Sequence, residues 1–194
     1  SLVTANTTGG ENTGIGTYSL DANTTGQKNV GCGGGTLSAC TTGQQNTALG
    51  FSALAGSTTT SYNVAVGAFS LDAAVTSEGN TAVGSFALST NTSGASNVAI
   101  GYDALGDNTT ASNNTAVGSD ALKLNTTGTR NTAVGSVALD VNTTGSYNTS
   151  LGYASLGSNT TGAENVAMGD AALLSNTEGD KNVAIGKDAL RSNT

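Results

Sequence analysis

Few residues of this 194-residue chain have side chains suited to catalysis or metal binding, because the sequence contains neither histidine nor tryptophan. A serine or cysteine activated by histidine, a histidine metal cluster and an HExxH site are therefore excluded. Asp103 and Asp120 lie seventeen residues apart, so their carboxylates could share a cation if the chain repeats at that distance. Calcium needs about six oxygen ligands, which favours an ordinary solvated acidic face. We predict no enzyme activity and no catalytic, cofactor-binding or metal site.

A glycine run and two cysteines are the other candidates for chemistry. Neither a lysine nor a helical pattern follows Gly33, Gly34 and Gly35, so a phosphate-binding loop is disfavoured. Cys32 stands where related segments carry a core aliphatic residue, and burial as a small apolar side chain explains it. A disulfide between Cys32 and Cys40 is the alternative, and it requires their Cα atoms to come within about 7 Å.

All these residues belong to a seventeen-residue repeat that has no insertion. We number each unit, or coil, from the asparagine before its apolar segment, as in "NTAVGSVALDVNTTGSY" from 131 to 147. Position four is always apolar, position five always glycine and position nine always leucine. The eleven coils begin at Asn12, Asn29, Asn46, Asn63, Asn80, Asn97, Asn114, Asn131, Asn148, Asn165 and Asn182.

This period predicts an all-β fold, because seventeen residues with two glycines and a turn leave no room for two helices. We expect a parallel β-solenoid, or β-roll, whose coils rise about 4.8 Å each, giving a rod on the order of 50 to 55 Å long. The leucines from Leu20 to Leu190 should form one internal column. In the strand "NTAVG" we expect Thr132 and Val134 to face inward, since side chains alternate along a strand.

The rest of the coil should close the core and return the chain. The glycine at position five bends the backbone, and Ala138 and Leu139 close the core from the other side. "NTTG" makes the return turn, where asparagine and glycine tolerate left-handed backbone angles. Asparagines at position one, such as Asn114 and Asn131, could bond each other in a continuous ladder. The alternative is that asparagine merely suits a turn before the strand.

Charges and aromatic rings occupy few positions of the coil. All nineteen charged residues fall at positions six, seven, ten, eleven, fourteen, sixteen or seventeen, and every aromatic residue falls at six, seven or seventeen. We expect these positions to lie on the outside or at a subunit seam. The net charge of −7 provides no basic stripe, which disfavours nucleic acid as a partner. No apolar run approaches the roughly 20 residues that cross a bilayer, so we predict no membrane insertion.

The segments "NVAIGYDAL", "NTAVGSVAL" and "NVAMGDAAL" resemble repeats in the β-roll heads of trimeric autotransporter adhesins. The fuller pattern NTTGxxNTAVGxxAL is similar to repeats of phage tail fibres and related trimeric surface fibres. The resemblance covers essentially the whole chain, although the unit is longer than the usual adhesin head repeat because of its "NTTG" turn. It implies a homotrimer on proteins that reach a host, a neighbouring cell or another surface.

Two functions follow from these patterns. The first is a structural shaft or head segment of a trimeric adhesin or fibre on a cell or virion surface. Its partners would be further copies of the chain, in a homotrimer or filament, and a surface receptor or glycan. The alternative is a monomeric ligand-binding solenoid that binds ice or carbohydrate. For ice, rows of threonine such as Thr126, Thr143 and Thr160, or Thr127, Thr144 and Thr161, would form the surface.

Residues 1–194 form a single repeat array of about eleven coils. Both ends fall within a repeat, and neither carries the atypical polar unit that terminates a free-standing solenoid. We therefore expect a fragment of a longer fibre. Seven turns read N-T-[ST], as at Asn125 and Asn142, and match a glycosylation acceptor, but their role in the turn already explains them.

Overall fold

The chain forms a rod of eleven stacked coils in a computed structural model that describes residues 5–193. Each coil contributes one strand of three residues, and no helix occurs in this range. The strands, β1 to β11 in chain order, are Thr13–Ile15, Val30–Cys32, Thr47–Leu49, Val64–Val66, Thr81–Val83, Val98–Ile100, Thr115–Val117, Thr132–Val134, Thr149–Leu151, Val166–Met168 and Val183–Ile185.

The strands form one sheet in which each strand pairs in parallel with the next one in the chain. The register joins equivalent positions of successive coils, so that Ala116 of β7 lies beside Ala133 of β8. Backbone hydrogen bonds also join the turns of neighbouring coils, as where the Leu122 amide donates to the Ala138 carbonyl oxygen at 3.0 Å. The predicted parallel β-solenoid of seventeen-residue coils is confirmed.

The predicted leucine column forms the centre of the core. The ten leucines from Leu20 to Leu173 are fully buried, one above another at position nine. Leu190 is 51% exposed because it lies in the last coil and is covered from one side only. Alanine or a small hydroxyl residue at position eight, such as Ala138, is buried beside the leucine. The core is therefore one leucine wide.

The prediction that Thr132 and Val134 face inward is wrong. Ala133 between them is fully buried, while Thr132 is exposed and Val134 half-buried. A leucine already fills most of the narrow core from the opposite side, so only a small residue fits inside the strand. Side chains alternate along a strand, so when the side chain at position three points inward, those at positions two and four point outward. Cys32, at position four, is therefore half-buried on the outer face and not a core residue.

The left-handed residues lie at other positions than predicted. In the coil that begins at Asn114, positive φ angles occur at Gly118 (137°), Asp120 (56°), Leu122 (51°) and Arg130 (58°). The same positions five, seven, nine and seventeen recur in the other coils, whereas the "NTTG" turn contributes none. Four left-handed residues per coil bend the chain sharply enough to close it in seventeen residues.

The asparagines of position one form the predicted column. They are buried in the interior coils, and each Oδ1 accepts a hydrogen bond from the backbone amide of the next asparagine, as from Asn131 to Asn114 at 2.9 Å. In several steps the side-chain amide donates as well, as from Asn148 to Asn131 at 3.2 Å. The ladder is thus confirmed, with main-chain and side-chain donors combined.

A second asparagine column, which was not predicted, lies at position twelve. Asn142 donates from Nδ2 to Asn125 Oδ1 at 2.8 Å and also to the Gly145 carbonyl oxygen at 3.0 Å. This column is interrupted where Cys40, Ser57 and Ala74 replace asparagine. Asn23, next to the interruption, keeps a buried Oδ1 without a hydrogen-bond partner. The recurrence of asparagine at position twelve was the signal that could have revealed this column.

Candidate interaction surface

The outward side of the sheet is an uncharged surface that runs the length of the rod. We call positions two and four of the eleven strands the strand face. Threonine or valine occupies position two, and an aliphatic residue, cysteine or methionine occupies position four. Ile15 is 60% exposed, Leu49 47% and Leu151 46%. Exposed apolar patches mark sites of association in soluble proteins, and the exposed side chains of position four make this surface a candidate for one.

Aromatic rings form a row at the corner beside the strand face. Phe51, Phe69, Phe86 and Tyr102 come from positions six and seven of four successive coils. Their ring centroids follow one another at 5.4, 5.4 and 6.0 Å. The predicted outer location is confirmed, since Phe51 is 59% and Tyr102 55% exposed. The row extends the apolar surface around the edge of the sheet.

The two threonine rows differ in what their hydroxyls do. At position thirteen, Thr126 Oγ1 donates to the Thr143 carbonyl oxygen at 3.1 Å, and Thr143 repeats this contact with Thr160 at 3.0 Å. At position fourteen, Thr127 and its equivalents are exposed. Only one of the two rows therefore directs its hydroxyls to solvent, whereas a planar ice-binding surface would use both.

The carboxylates of Asp103 and Asp120 both form ion pairs with the ammonium group of Lys123. Lys123 Nζ lies 2.8 Å from Asp103 Oδ2 and 3.2 Å from Asp120 Oδ1. The hydrogen bond to Asp103, together with that to Asp120, raises the pKa of the Lys123 ammonium above its usual range. Desolvation raises the pKa of nearby Asp140. The two aspartates come together as the spacing suggested, with a lysine between them.

The glycosylation motifs at Asn125 and Asn142 are inside the rod. Asn125 and Asn142 are fully buried in the position-twelve column. The Nδ2 atom of each donates to the carbonyl oxygen of the glycine three residues later, at 2.9 and 3.0 Å. An attached sugar would displace the neighbouring coil, so the folded rod has no room for a glycan at these sites.

The two cysteines are free, which answers the question of a disulfide. Cys40 is fully buried in the position-twelve column, and its Sγ faces the Gly43 carbonyl oxygen at 3.9 Å. Burial raises the pKa of the Cys40 thiol, which lowers the fraction of reactive thiolate. Cys32 lies half-buried on the strand face.

Iodoacetamide applied to dilute folded protein is therefore expected to modify Cys32 and leave Cys40 unmodified. Peptide mass spectrometry measures the extent of reaction at each site. In guanidinium chloride both cysteines should react, which serves as the control. Equal rates for the two thiols in the folded protein would contradict the burial of Cys40.

Enclosed sites are absent from the structure between residues 5 and 193. No pocket is found there, and no three side chains of histidine, cysteine, aspartate or glutamate come close enough to hold a metal ion. The same range contains no helix long and apolar enough to span a membrane. The surface features of this chain are therefore the strand face, the aromatic row and the polar rows.

Fold and surface together define a parallel β-solenoid repeat protein with an apolar outer sheet. Comparison with known proteins finds no matching family, no matching curated relative and no matching solved structure.

Proposed function

We propose that this chain is a structural segment of a trimeric surface fibre or adhesin, and that copies associate along the strand face. The observation that carries this proposal is the strand face, which is free of charge over all eleven coils and has an apolar side chain at position four of each coil. A solvated monomer gains nothing from the six position-four side chains that are 36 to 70% exposed, whereas a lateral interface would bury them. The segment spaces or presents a contact region outside the cell or virion and performs no catalysis.

The regularity of the rod supports a spacer role. Every coil pairs with the next through the same register, so cross-section and hydrogen bonding stay constant along the sheet. Solenoids of this kind carry load or span distance because each coil contacts its neighbours only. At the usual spacing between strands, eleven coils rise on the order of 50 Å.

A monomeric binding solenoid is the second candidate, and the exposed threonines at position fourteen favour it. Thr127, Thr144 and Thr161 form a regular row of hydroxyls directed to solvent. Ice is the ligand that such a row would suit. The hydroxyls of position thirteen are occupied by internal hydrogen bonds, which is why we place this function second.

The mass in solution separates the two candidates. We expect sedimentation equilibrium to give a species near three times 18.8 kDa, or a longer trimeric filament. Protection of Cys32 from iodoacetamide should rise with protein concentration, since position four lies on the strand face. A monomer over a wide concentration range, together with inhibition of ice growth, would replace the fibre proposal by the ice-binding one.

Attachment of the parent fibre to its target surface tests the spacer role. Replacing Asp120 and Lys123 by serine removes outward charges of a middle coil, and we expect attachment to remain nearly unchanged. Circular dichroism verifies that the variant rod is folded. Loss of attachment with the rod intact would show that the segment itself recognises the surface.

A further inference from the structure

Hydrogen bonds at the "NTTG" turns join successive coils in addition to those along the strands. We call positions twelve to fifteen the turn side, and we number the steps so that the third step joins the third and fourth coils. At most steps, two amides of the turn side donate to the position-thirteen carbonyl oxygen of the following coil. At the eighth step, the Thr143 and Thr144 amides donate to the Thr160 carbonyl oxygen at 2.9 and 3.2 Å.

Within residues 5–193, the third and sixth steps lack both of these amide hydrogen bonds. Each of the two steps keeps one long bond from a threonine hydroxyl of position thirteen. Thr58 Oγ1 donates to the Val75 carbonyl oxygen at 3.4 Å, and Thr109 Oγ1 donates to the Thr126 carbonyl oxygen at 3.4 Å. The turn side is therefore less tightly bonded at these two steps than elsewhere.

The position-twelve column distinguishes the third step from the sixth. At the sixth step, Asn125 Nδ2 donates to Asn108 Oδ1 at 3.3 Å. At the third step, Ser57 and Ala74 stand in place of these asparagines. The Ser57 hydroxyl is hydrogen-bonded to Thr60 of its own coil, and alanine has no side-chain donor. No hydrogen bond of the column therefore crosses the third step.

Ser77 places an unpaired polar group on the turn side of the fourth coil. It occupies position fifteen, where most coils carry glycine, and its Oγ is buried without a hydrogen-bond partner. A buried hydroxyl without a partner has a desolvation cost, which opening to water would relieve. The missing bonds and the unpaired hydroxyl thus favour opening of the turn side at the same step.

The strand side of the third step is fully bonded. β3 and β4 pair over all three residues, and the Gly67 amide donates to the Leu49 carbonyl oxygen at 2.8 Å. The Phe51 and Phe69 rings pack edge to face across the same step, with centroids 5.4 Å apart. Such aromatic pairs stabilise a contact beyond the area that they bury. The third step is thus held on one side and loosely bonded on another.

We propose that the third step is a joint at which the rod bends, with the turn side opening while the strands and the aromatic row stay closed. Each coil of a solenoid contacts only its neighbours, so bending concentrates at the step with the fewest bonds. Local opening likewise begins where a structure has the least stabilising contact. The joint divides the rod into three coils before it and eight after it. This inference concerns the stack of coils alone, and it holds for a fibre and for a monomer.

Amide hydrogen exchange of the full chain, resolved by residue with NMR, tests the joint. The Gly56 amide donates to the Asp72 carbonyl oxygen at 2.7 Å across the third step. The Asp107 amide, also at position eleven, donates to the Lys123 carbonyl oxygen at 2.9 Å across the sixth. After correction for intrinsic rates, Gly56 should exchange about tenfold or more faster than Asp107, although its hydrogen bond is shorter.

The Gly67 amide is the control on the strand side of the third step, and it should stay protected. Equal protection of Gly56 and Asp107 would overturn the joint, because the two steps would then open alike. Exchange of Gly67 as fast as that of Gly56 would also overturn it, since the coils would then separate as a whole instead of bending.

A repaired variant tests whether the interrupted column causes the opening. It gives the third and fourth coils the asparagine of position twelve and the glycine of position fifteen that the eighth coil has at Asn142 and Gly145. Exchange at Gly56 should then slow by about tenfold, because a side-chain hydrogen bond crosses the third step again. The four substitutions are Ser57→Asn, Thr60→Gly, Ala74→Asn and Ser77→Gly.

Asn125→Ala is the matched variant at the sixth step. Alanine is already present at position twelve as Ala74, and the substitution removes the bond of the column to Asn108. Exchange at Asp107 should become faster by about tenfold. Circular dichroism verifies that both variants are folded. An unchanged rate at Gly56 in the folded repaired variant, or at Asp107 in Asn125→Ala, would overturn the assignment of the joint to the column; if the repaired variant does not fold, the rate at Asp107 decides.

Discussion

Leu122→Asp is expected to unfold the rod. Leu122 is fully buried in the leucine column, and its aspartate variant would leave a carboxylate in an apolar core with no partner. The lost packing and the buried charge together cost on the order of 5 kcal/mol, comparable to the whole stability of many domains. Thermal denaturation followed by circular dichroism measures the loss.

Val137→Asp is the matched control for Leu122→Asp. Val137 is half-buried at position seven with a φ of 49°, and the equivalent residues of the two preceding coils are Asp120 and Asp103. This outward substitution should change the free energy of unfolding by less than about 1 kcal/mol. Similar melting of the two variants would show that the leucine column does not hold the rod together.

Gly118→Ala is expected to separate two coils. Gly118 has a φ of 137°, and an added Cβ would lie 2.5 Å from the Gly135 carbonyl oxygen and 2.6 Å from its carbon. Since both contacts are with the backbone of the next coil, no side-chain rotation relieves them. We expect a loss on the order of 3 kcal/mol, measured as a lower midpoint of unfolding in guanidinium chloride.

Gly34→Ala serves as the comparison for Gly118→Ala. Gly34 lies at position six, where another coil has Ala68, and its added Cβ would touch the Phe51 ring at an ordinary 3.5 Å. Its midpoint should remain close to that of the wild type. If Gly118→Ala unfolds at the same midpoint, the glycine at position five is not required by the close approach of the coils.

The sequence predicted the coil and its length because both depend on period alone. Glycine and leucine at fixed positions indicated where the chain bends and where the core lies, and the asparagine ladder followed from identical side chains stacked in register. These features are repeated in every coil, so each is supported many times by one sequence.

The direction of the strand side chains could not be predicted from hydrophobicity. In "TAV" the valine is the more apolar residue, yet Ala133 faces inward because Leu139 leaves space for a methyl group only. Which residue fits depends on the width of the core, and that width depends on the whole closed coil. The left-handed conformation of Leu122 has the same origin, since leucine alone does not favour it.

The sequence predicted which residue types lie on the outside of the rod, but it did not predict that the outer face of the sheet is the candidate interface. Charges and aromatic residues were expected on the outside, and the exposure of Phe51 and Tyr153 confirms this for the aromatic rings. The aliphatic residues of position four were expected in the core, and this error hid the strand face. The outward direction of Leu49, Ile100 and Leu151 is known only from the folded coil.

The asparagine columns give the rod a dipole along its axis. In the position-twelve run from Asn91 to Asn176, each side-chain amide from Asn108 onward donates to the asparagine of the preceding coil, so their dipoles add. Backbone amides of the strands donate to both sides: Val98 to the following coil and Gly101 to the preceding one. Hydrogen bonds in an aligned chain polarise one another. Each further coil of this run therefore strengthens the hydrogen bonds already formed in it, and the run has a donor end and an acceptor end that are chemically distinct.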